Sequence, residues 1–145
     1  MRSQRIVIIP AVVDREFWVE EKAVSPSYLE QFGTFIGQLI LNRSPYNIDL
    51  NKKILMKHVD PGFSGALVER LDKEKEMLAK GNGSYVFYTS SIQVSPESKS
   101  VLISGKSEFK AGSKVISEEQ ETYLLGFSYK NGKLLLNRIE NIPSK

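Results

Sequence analysis

One helix constrains the fold of this chain more than any other stretch. Residues 25–45 read SPSYLEQFGTFIGQLILNRSP. At about 100° per residue, the apolar and glycine positions from Tyr28 to Ile40 cover an arc of roughly 200°. A surface helix needs an apolar stripe of only about 100°. This helix is therefore expected to be buried from two sides, and the rest of the chain must supply both covering layers.

The ends of this helix are marked by its sequence. Ser25-Pro26 offers a hydroxyl cap followed by proline at the first helical position, and the helix should run to about Arg43, before Ser44-Pro45. Gly33 and Gly37 lie at one edge of the apolar arc. Their spacing fits a bulky neighbour packed inside the same chain, or close contact with a second chain.

Two further helices follow. Asn47 is predicted to cap a helix that runs to about His58. Asp60-Pro61 repeats the cap-plus-proline signature and opens a third helix, which residues 81–83 (Gly-Asn-Gly) should end.

From residue 84 the apolar period changes from 3.6 to 2, which predicts strands. The predicted strands cover residues 85–94, 101–109, 115–129 and 134–142, with a possible bulge at Gly105 and an Asn131-Gly132 hairpin before the last strand. Three helices followed by a four-stranded antiparallel meander predict an α+β fold. We expect the sheet to curl around the first helix as a cone-shaped, cystatin-like roll.

The remaining N-terminal residues, 1–24, are predicted to form an extended arm before a single domain at 25–145. Phe17 and Trp18 need an apolar surface, either on the chain's own domain or on a partner chain. The longest apolar run, residues 6–13, contains Pro10 and is far shorter than the roughly 20 residues of a membrane-spanning helix. The chain of 145 residues has no cysteine and a formal charge of +3 with interspersed signs, which does not favour a nucleic-acid groove.

Candidate catalytic groups are few. His58 is the only histidine, and without cysteine it cannot anchor an ordinary metal site; we interpret it as a partly exposed cation at a helix end. The acidic residues Glu118, Glu119 and Glu121 should alternate between strand faces and serve solubility. The inward positions Phe87, Ile103, Leu125 and Phe127 are apolar. We therefore expect no catalytic, cofactor or metal site.

Several segments resemble the TraE family of conjugative type IV secretion systems when they are taken together and in order. They are residues 25–31 (SPSYLEQ), 41–47 (LNRSPYN), 58–61 (HVDP), 87–88 (FY) and 127–134 (FSYKNGKL). The resemblance covers nearly the whole chain, from the arm at Ile6 to Ile139.

This resemblance implies a non-catalytic assembly scaffold in a Gram-negative bacterium, anchored in the inner membrane by a helix expected upstream of residue 1, with the α+β domain in the periplasm. It also implies self-association and contact with other components of the channel that transfers DNA between cells, without direct nucleic-acid contact. Our candidate partner contacts are Phe17, Trp18, Gly33, Gly37 and Tyr46.

Two alternatives from other classes stay open. One is a small-ligand-binding or isomerase-type roll with His58 or an inward acid as the base, which requires a cavity of several hundred cubic ångströms. The other is a DNA-contacting accessory domain, which only the positive charge suggests.

Overall fold

The computed structural model describes residues 24–143, together with the backbone of residues 6–7 and 18–19. In chain order, its elements are strands β1 (Ile6–Val7) and β2 (Trp18–Val19), helices α1 (Pro26–Leu41), α2 (Ile48–Leu55) and α3 (Pro61–Gly81), and strands β3 (Gly83–Ser95), β4 (Ser100–Ala111), β5 (Lys114–Lys130) and β6 (Lys133–Ile142). A short 3₁₀ turn, Met56–His58, lies between α2 and α3. The predicted α+β class, with three helices before a curled four-stranded antiparallel sheet, is confirmed.

All three helices begin where the sequence predicts, and two of them carry the predicted side-chain cap. The hydroxyl oxygen of Ser25 accepts the N–H of Tyr28 at 3.1 Å, and the Asp60 carboxylate accepts the N–H of Gly62 at 2.9 Å. The predicted capping role of Asn47 is wrong, because its side-chain oxygen accepts the N–H of Ser44 at 2.8 Å instead. Asn47 thus closes the turn that precedes α2 and does not cap the helix itself.

The sheet is an antiparallel meander in the order β3-β4-β5-β6. Its last hairpin has Asn131 at φ 52° and Gly132 at φ 77°, the left-handed pair that an Asn-Gly two-residue turn requires. Strand β6 pairs only with residues 122–130 of β5. Residues 114–121 of β5 therefore pair with β4 on one side, and β6 does not extend along their other side.

The predicted bulge near Gly105 is in the facing strand. Thr89 pairs with Gly105 and Ser91 with Ser104, so the extra residue is Ser90 on β3. A Cβ atom at position 105 would lie 2.1 Å from the carbonyl oxygen of Tyr88. Position 105 thus requires glycine, because the bulge brings the β3 backbone too close to leave room for a side chain.

The core lies between α1 and the sheet. Leu29 and Ile36 of α1 are fully buried, as are Val101 and Leu125 of the sheet. On its other side α1 contacts α2, where the side-chain amide of Asn51 donates to the carbonyl of Leu39 at 3.2 Å. The wide apolar arc of the first helix is therefore covered by the sheet and by a following helix, as its sequence predicts.

The N-terminal arm is described only in part. Strands β1 and β2 pair antiparallel, with Ile6 opposite Val19 and Val7 opposite Trp18. They form a two-stranded sheet that is separate from the four-stranded one. The rest of the predicted arm lies outside the described residues, and the domain boundary at residue 25 stays a prediction.

Candidate partner-contact surface

The interior of the roll is filled by side chains. The space between α1 and the sheet has a volume of about 10 Å³, and Gly37, Phe87 and Ile103 are among its lining residues. That is room for about one water molecule, whereas ligand pockets occupy about 300–1,000 Å³. This space therefore cannot accommodate the substrate that a cone-shaped isomerase would need.

A wider, open depression of about 410 Å³ runs along the exposed face of α3. Its described lining residues are Gly65, Val68, Glu69, Asp72, Lys73 and Glu76, all from that one helix. One convex helix face cannot enclose a small molecule. Between residues 24 and 143, no group of three metal-ligating side chains is placed to hold an ion.

His58 packs as an aromatic side chain. Its ring makes edge-on contacts with Phe32 and Phe35, at centroid distances of 5.5 and 5.6 Å. Burial lowers the pKa of His58 below its ordinary value of 6.5, and the positive charges of Lys57 and Lys133 lower it further. His58 is partly exposed at the end of the Met56–His58 turn, as expected, but its lowered pKa disfavours the cationic form that the interpretation assumed.

Asp60 links the start of α3 to the sheet. One oxygen, Oδ1, caps Gly62, and Oδ2 accepts the Ser128 hydroxyl at 2.6 Å and lies 3.4 Å from Lys130 Nζ. The Ser128 hydrogen bond, the Gly62 N–H and the charge of Lys130 all lower the Asp60 pKa. The Asp60 carboxylate is thus an acceptor engaged in structural contacts between α3 and β5.

Gly33 and Gly37 face β4. A Cβ atom at position 33 would lie 2.7 Å from Val101 Cγ2, and one at position 37 would lie 2.6 Å from Ile103 Cδ1. Both glycines are buried. In this structure they pack closely against bulky neighbours of the same chain, and contact with another chain through these glycines stays a prediction.

Tyr46 is the most exposed large apolar side chain among the described residues, with 86% of its surface accessible. The turn that carries it is held by the Ser44 hydroxyl, which accepts the Tyr46 N–H at 3.1 Å. The Tyr46 hydroxyl donates to the Asn82 side-chain oxygen at 3.4 Å, at the far end of α3. The ring is therefore presented to solvent from a fixed turn.

Two further exposed apolar side chains lie on the same pair of helices. Leu50 on α2 is 60% exposed and Met77 on α3 is 53% exposed. We call the exposed side chains of Tyr46 and Leu50 the α2–α3 surface. Two solvent-exposed ion pairs join α2 to α3, Lys75 to Asp49 at 2.8 Å and Lys52 to Asp72 at 2.9 Å. Aromatic and methionine side chains are enriched in the centres of protein interfaces.

The sequence analysis identified Tyr46 but missed Leu50 and Met77. The available signal was that neither residue lies on the buried face of its helix, which Ile48 and Leu55 define in α2 and Leu71 and Leu78 define in α3. Of the other candidates, Phe17 lies outside the described residues. Only the backbone of Trp18 is described, in β2.

The chain matches a known protein family. The family model described as TraE protein matches residues 1–141. Protein TraE of Salmonella typhi is 26% identical over 145 residues, covering 100% of this chain and 78% of that protein. Protein TraE of Escherichia coli strain K12 is 25% identical over 130 residues, covering 90% and 69%.

Solved structures share the fold. A TraE protein in complex with 2-chloroisonicotinic acid superposes with a TM-score of 0.66 at 8% identity, covering 85% of this chain and 99% of that one. The VirB8 protein of Agrobacterium tumefaciens superposes with a TM-score of 0.62 at 7% identity, covering 81% and 92%. Within the described residues, no helix is long and apolar enough to span a bilayer. The chain belongs to the TraE family of conjugative type IV secretion systems.

Proposed function

We propose that this protein is a non-catalytic assembly scaffold of a conjugative type IV secretion channel. Its α+β domain works in the periplasm, at the inner membrane, by self-association and by contact with other channel components. Family membership supports the cellular role. The filled interior supports a mechanism that depends on surfaces instead of an enclosed ligand site.

The observation that carries this proposal is the exposure of apolar side chains on a rigid support. Tyr46, at 86% exposed, projects from a turn that hydrogen bonds hold at both ends. A preorganised aromatic side chain loses little conformational freedom when a partner covers it. We assign the α2–α3 surface as the principal contact for other channel components, and the arm around Phe17 and Trp18 as a second contact.

The test is the mass of the intact protein in detergent, with and without purified channel components, for the wild type and a Tyr46→Ala/Leu50→Ala variant. We expect wild-type complexes, and a variant that binds about 30-fold more weakly, which corresponds to about 2 kcal/mol for the loss of a central aromatic contact. Lys53→Ala is the matched control, because Lys53 is also exposed on α2. A wild-type protein that stays monomeric and binds no channel component contradicts the proposal.

A further inference from the structure

Strand β3 is an edge of the four-stranded sheet, and part of its outer side is open. Near its start, Tyr85 exchanges backbone hydrogen bonds of 3.0 and 2.7 Å with Arg43. Further along, the extra residue Ser90 forms a bulge that shifts the register with β4 by one residue. Within residues 24–143, no strand or bridge pairs with the outer side of residues 91–95.

The pairing pattern identifies the backbone groups that point outwards at this edge. Tyr85 directs its N–H to Arg43, away from β4, and Phe87 donates its N–H at 2.9 Å to a side-chain oxygen at the end of α1. Backbone direction alternates along a strand, and the bulge at position 90 shifts the alternation by one residue. The N–H and C=O groups of Ile92 and Val94 therefore point away from β4.

The side chains of this edge are only partly covered. Ile103 of β4, opposite Ile92, is 2% exposed, and Val101 of β4, opposite Val94, is 0% exposed. Ile92 and Val94 pack against the same core but are only half-buried. In the described part of the chain, no further strand lies beside them. A strand added here would remove more apolar surface from water.

The open segment lacks the features that keep most edge strands from pairing. Residues 91–95 read Ser-Ile-Gln-Val-Ser, without a charged residue or a proline. Natural sheets protect their edges with charged side chains, prolines and bulges. Here the bulge at Ser90 and the ring of Pro96 stand at the two ends of the segment. They confine regular pairing to residues 91–95, with Gln93 at the centre.

We propose that residues 91–95 of two copies pair antiparallel about a two-fold axis at Gln93, which joins their four-stranded sheets edge to edge. Ile92 of each copy then lies opposite Val94 of the other and exchanges both backbone hydrogen bonds with it. The two Gln93 residues lie directly opposite each other. This inference rests on the self-association in the proposed function and assigns a structural route to it.

This register is favoured over its neighbours. It uses the outward N–H and C=O groups on both sides, and it places Ser91 opposite Ser95, so that no charge meets a like charge. A shift of the axis by one residue brings either the bulged Ser90 or Pro96, which has no N–H, into the hydrogen-bonded ladder. Either shift loses backbone hydrogen bonds.

The first helix leaves room for this pairing. Helix α1 lies over β4, where Gly33 and Gly37 approach Val101 and Ile103. Three strand spacings of about 4.8 Å would separate the β4 strands of the two copies, so their α1 helices would lie about 14 Å apart. Helices in direct contact are about 8–10 Å apart. The two α1 helices therefore do not collide.

The open edge of β5 fits a second copy less well. Residues 117–121 read Ser-Glu-Glu-Gln-Glu, and β6 pairs only with residues 122–130 of β5. Pairing of two such edges places acid opposite acid in every two-fold register centred on residues 118–120, which is unfavourable. Charge therefore selects the neutral edge of β3 for pairing between copies.

The interface formed by this short strand pair is small. Stable complexes usually bury about 800 Å² per partner, which is more than a few strand residues supply. We therefore expect a weak dimer in dilute solution, and a well-populated one where other contacts hold copies close together. A covalent trap is the suitable measurement for a contact of this kind.

Cysteine cross-linking tests the register, because the native chain contains no cysteine. The intact Gln93→Cys protein is oxidised in detergent, and disulfide-linked homodimers are quantified. In the proposed register its two Cα atoms form a non-hydrogen-bonded pair about 4.5 Å apart, which suits a disulfide. Ser91→Cys is the matched control, because Ser91 is exposed on the same strand, but its two copies would lie about 14 Å apart.

We expect about tenfold more homodimer from Gln93→Cys than from Ser91→Cys, because only the first pair is within disulfide reach. A mixture of Ser91→Cys and Ser95→Cys chains should form heterodimers, since these positions are directly opposed. Gln93→Lys in both chains of that mixture should remove them, because like charges then face each other. Gln93→Lys in one chain with Gln93→Glu in the other should restore them.

Equal homodimer yields from Gln93→Cys and Ser91→Cys overturn the inference. So does a Lys–Glu combination at position 93 that cross-links no better than the Lys–Lys combination. If the wild type nevertheless forms oligomers by mass in detergent, the proposed scaffold function stands and only this route to it fails. A wild type that is monomeric and binds no channel component contradicts the proposed function itself.

Discussion

Substitution of Gly33 by alanine tests the packing of α1 against the sheet. The new Cβ atom would lie 2.7, 3.0 and 3.1 Å from Cγ2, Cγ1 and Cβ of Val101. Val101 is fully buried and β-branched, so rotation about χ1 moves one methyl group away only by bringing another atom in. Overpacking of this kind costs about 1–3 kcal/mol. Alanine regains about 1 kcal/mol of helix propensity relative to glycine. The expected net result is a loss of about 1 kcal/mol in the free energy of unfolding.

Gly65→Ala is the matched control for that substitution. Gly65 is also helical, in α3, but a Cβ atom there would meet nothing within 4 Å. The control should therefore gain about 1 kcal/mol, so the two variants should differ by about 2 kcal/mol in urea titrations. Adding Val101→Ala to Gly33→Ala should cost less than the sum of the two single changes, because the alanine methyl fills part of the space vacated by valine. Equal stabilisation by Gly33→Ala and Gly65→Ala would refute the packing of α1 on β4.

Three further outcomes follow from named contacts. The His58 pKa is lowered in the folded state, so the unfolded chain binds the proton more tightly, and stability present above the ordinary pKa of 6.5 should be lost as the pH falls through the folded pKa. Thermal unfolding of the wild type and of His58→Phe between about pH 7.5 and about pH 5 tests this expectation. An equal loss of stability with acid in both proteins would contradict it. Ser25→Ala removes the acceptor for the Tyr28 N–H and should cost about 1 kcal/mol in urea unfolding, whereas Ser25→Asp should retain stability; identical midpoints for both variants would argue against the cap. Gly105→Ala forces a Cβ atom to within 2.1 Å of the Tyr88 carbonyl oxygen and should lower the free energy of unfolding by several kcal/mol, seen as loss of the cooperative unfolding transition. An unchanged midpoint would contradict the close approach of β3 to Gly105.

Most of the fold could be predicted from local signals in the sequence. Ser25-Pro26 and Asp60-Pro61 mark helix starts because a side-chain acceptor and a preset φ are properties of the residues themselves. Asn131-Gly132 predicts its hairpin for the same reason, since both residues tolerate positive φ. These features need no knowledge of the rest of the chain.

Features that depend on which other residue a side chain contacts were not predictable. The Ser128 hydroxyl is 68 positions from Asp60, the carboxylate to which it donates. The extra residue of the bulge is Ser90, but the sequence signal was its partner Gly105. Asn47 is a residue type that often caps helices, but its side-chain oxygen accepts the Ser44 N–H instead. In each case a tertiary or neighbouring contact decided between roles that the local sequence left equal.

The candidate contact surface was predicted only at Tyr46. An aromatic residue in a turn between helices suggests a partner contact, but only an exposed side chain can make one. Which side chains are exposed depends on how α2 packs on α3. Gly33 and Gly37 show the reverse case. Their spacing allows either a partner chain or an internal neighbour, and in this structure their close neighbours are Val101 and Ile103 of β4.

DNA transfer by cells that carry a Tyr46→Asp variant tests the central claim most directly. The exposed ring contributes little to the fold, so the variant should accumulate to wild-type levels and unfold at the wild-type midpoint. A buried charge at an interface strongly disfavours assembly. We therefore predict that the variant fails to restore conjugation to a deletion strain, while Lys53→Ala restores it fully. Wild-type transfer by Tyr46→Asp, at equal protein abundance, would contradict the role of the α2–α3 surface as the contact through which the scaffold works.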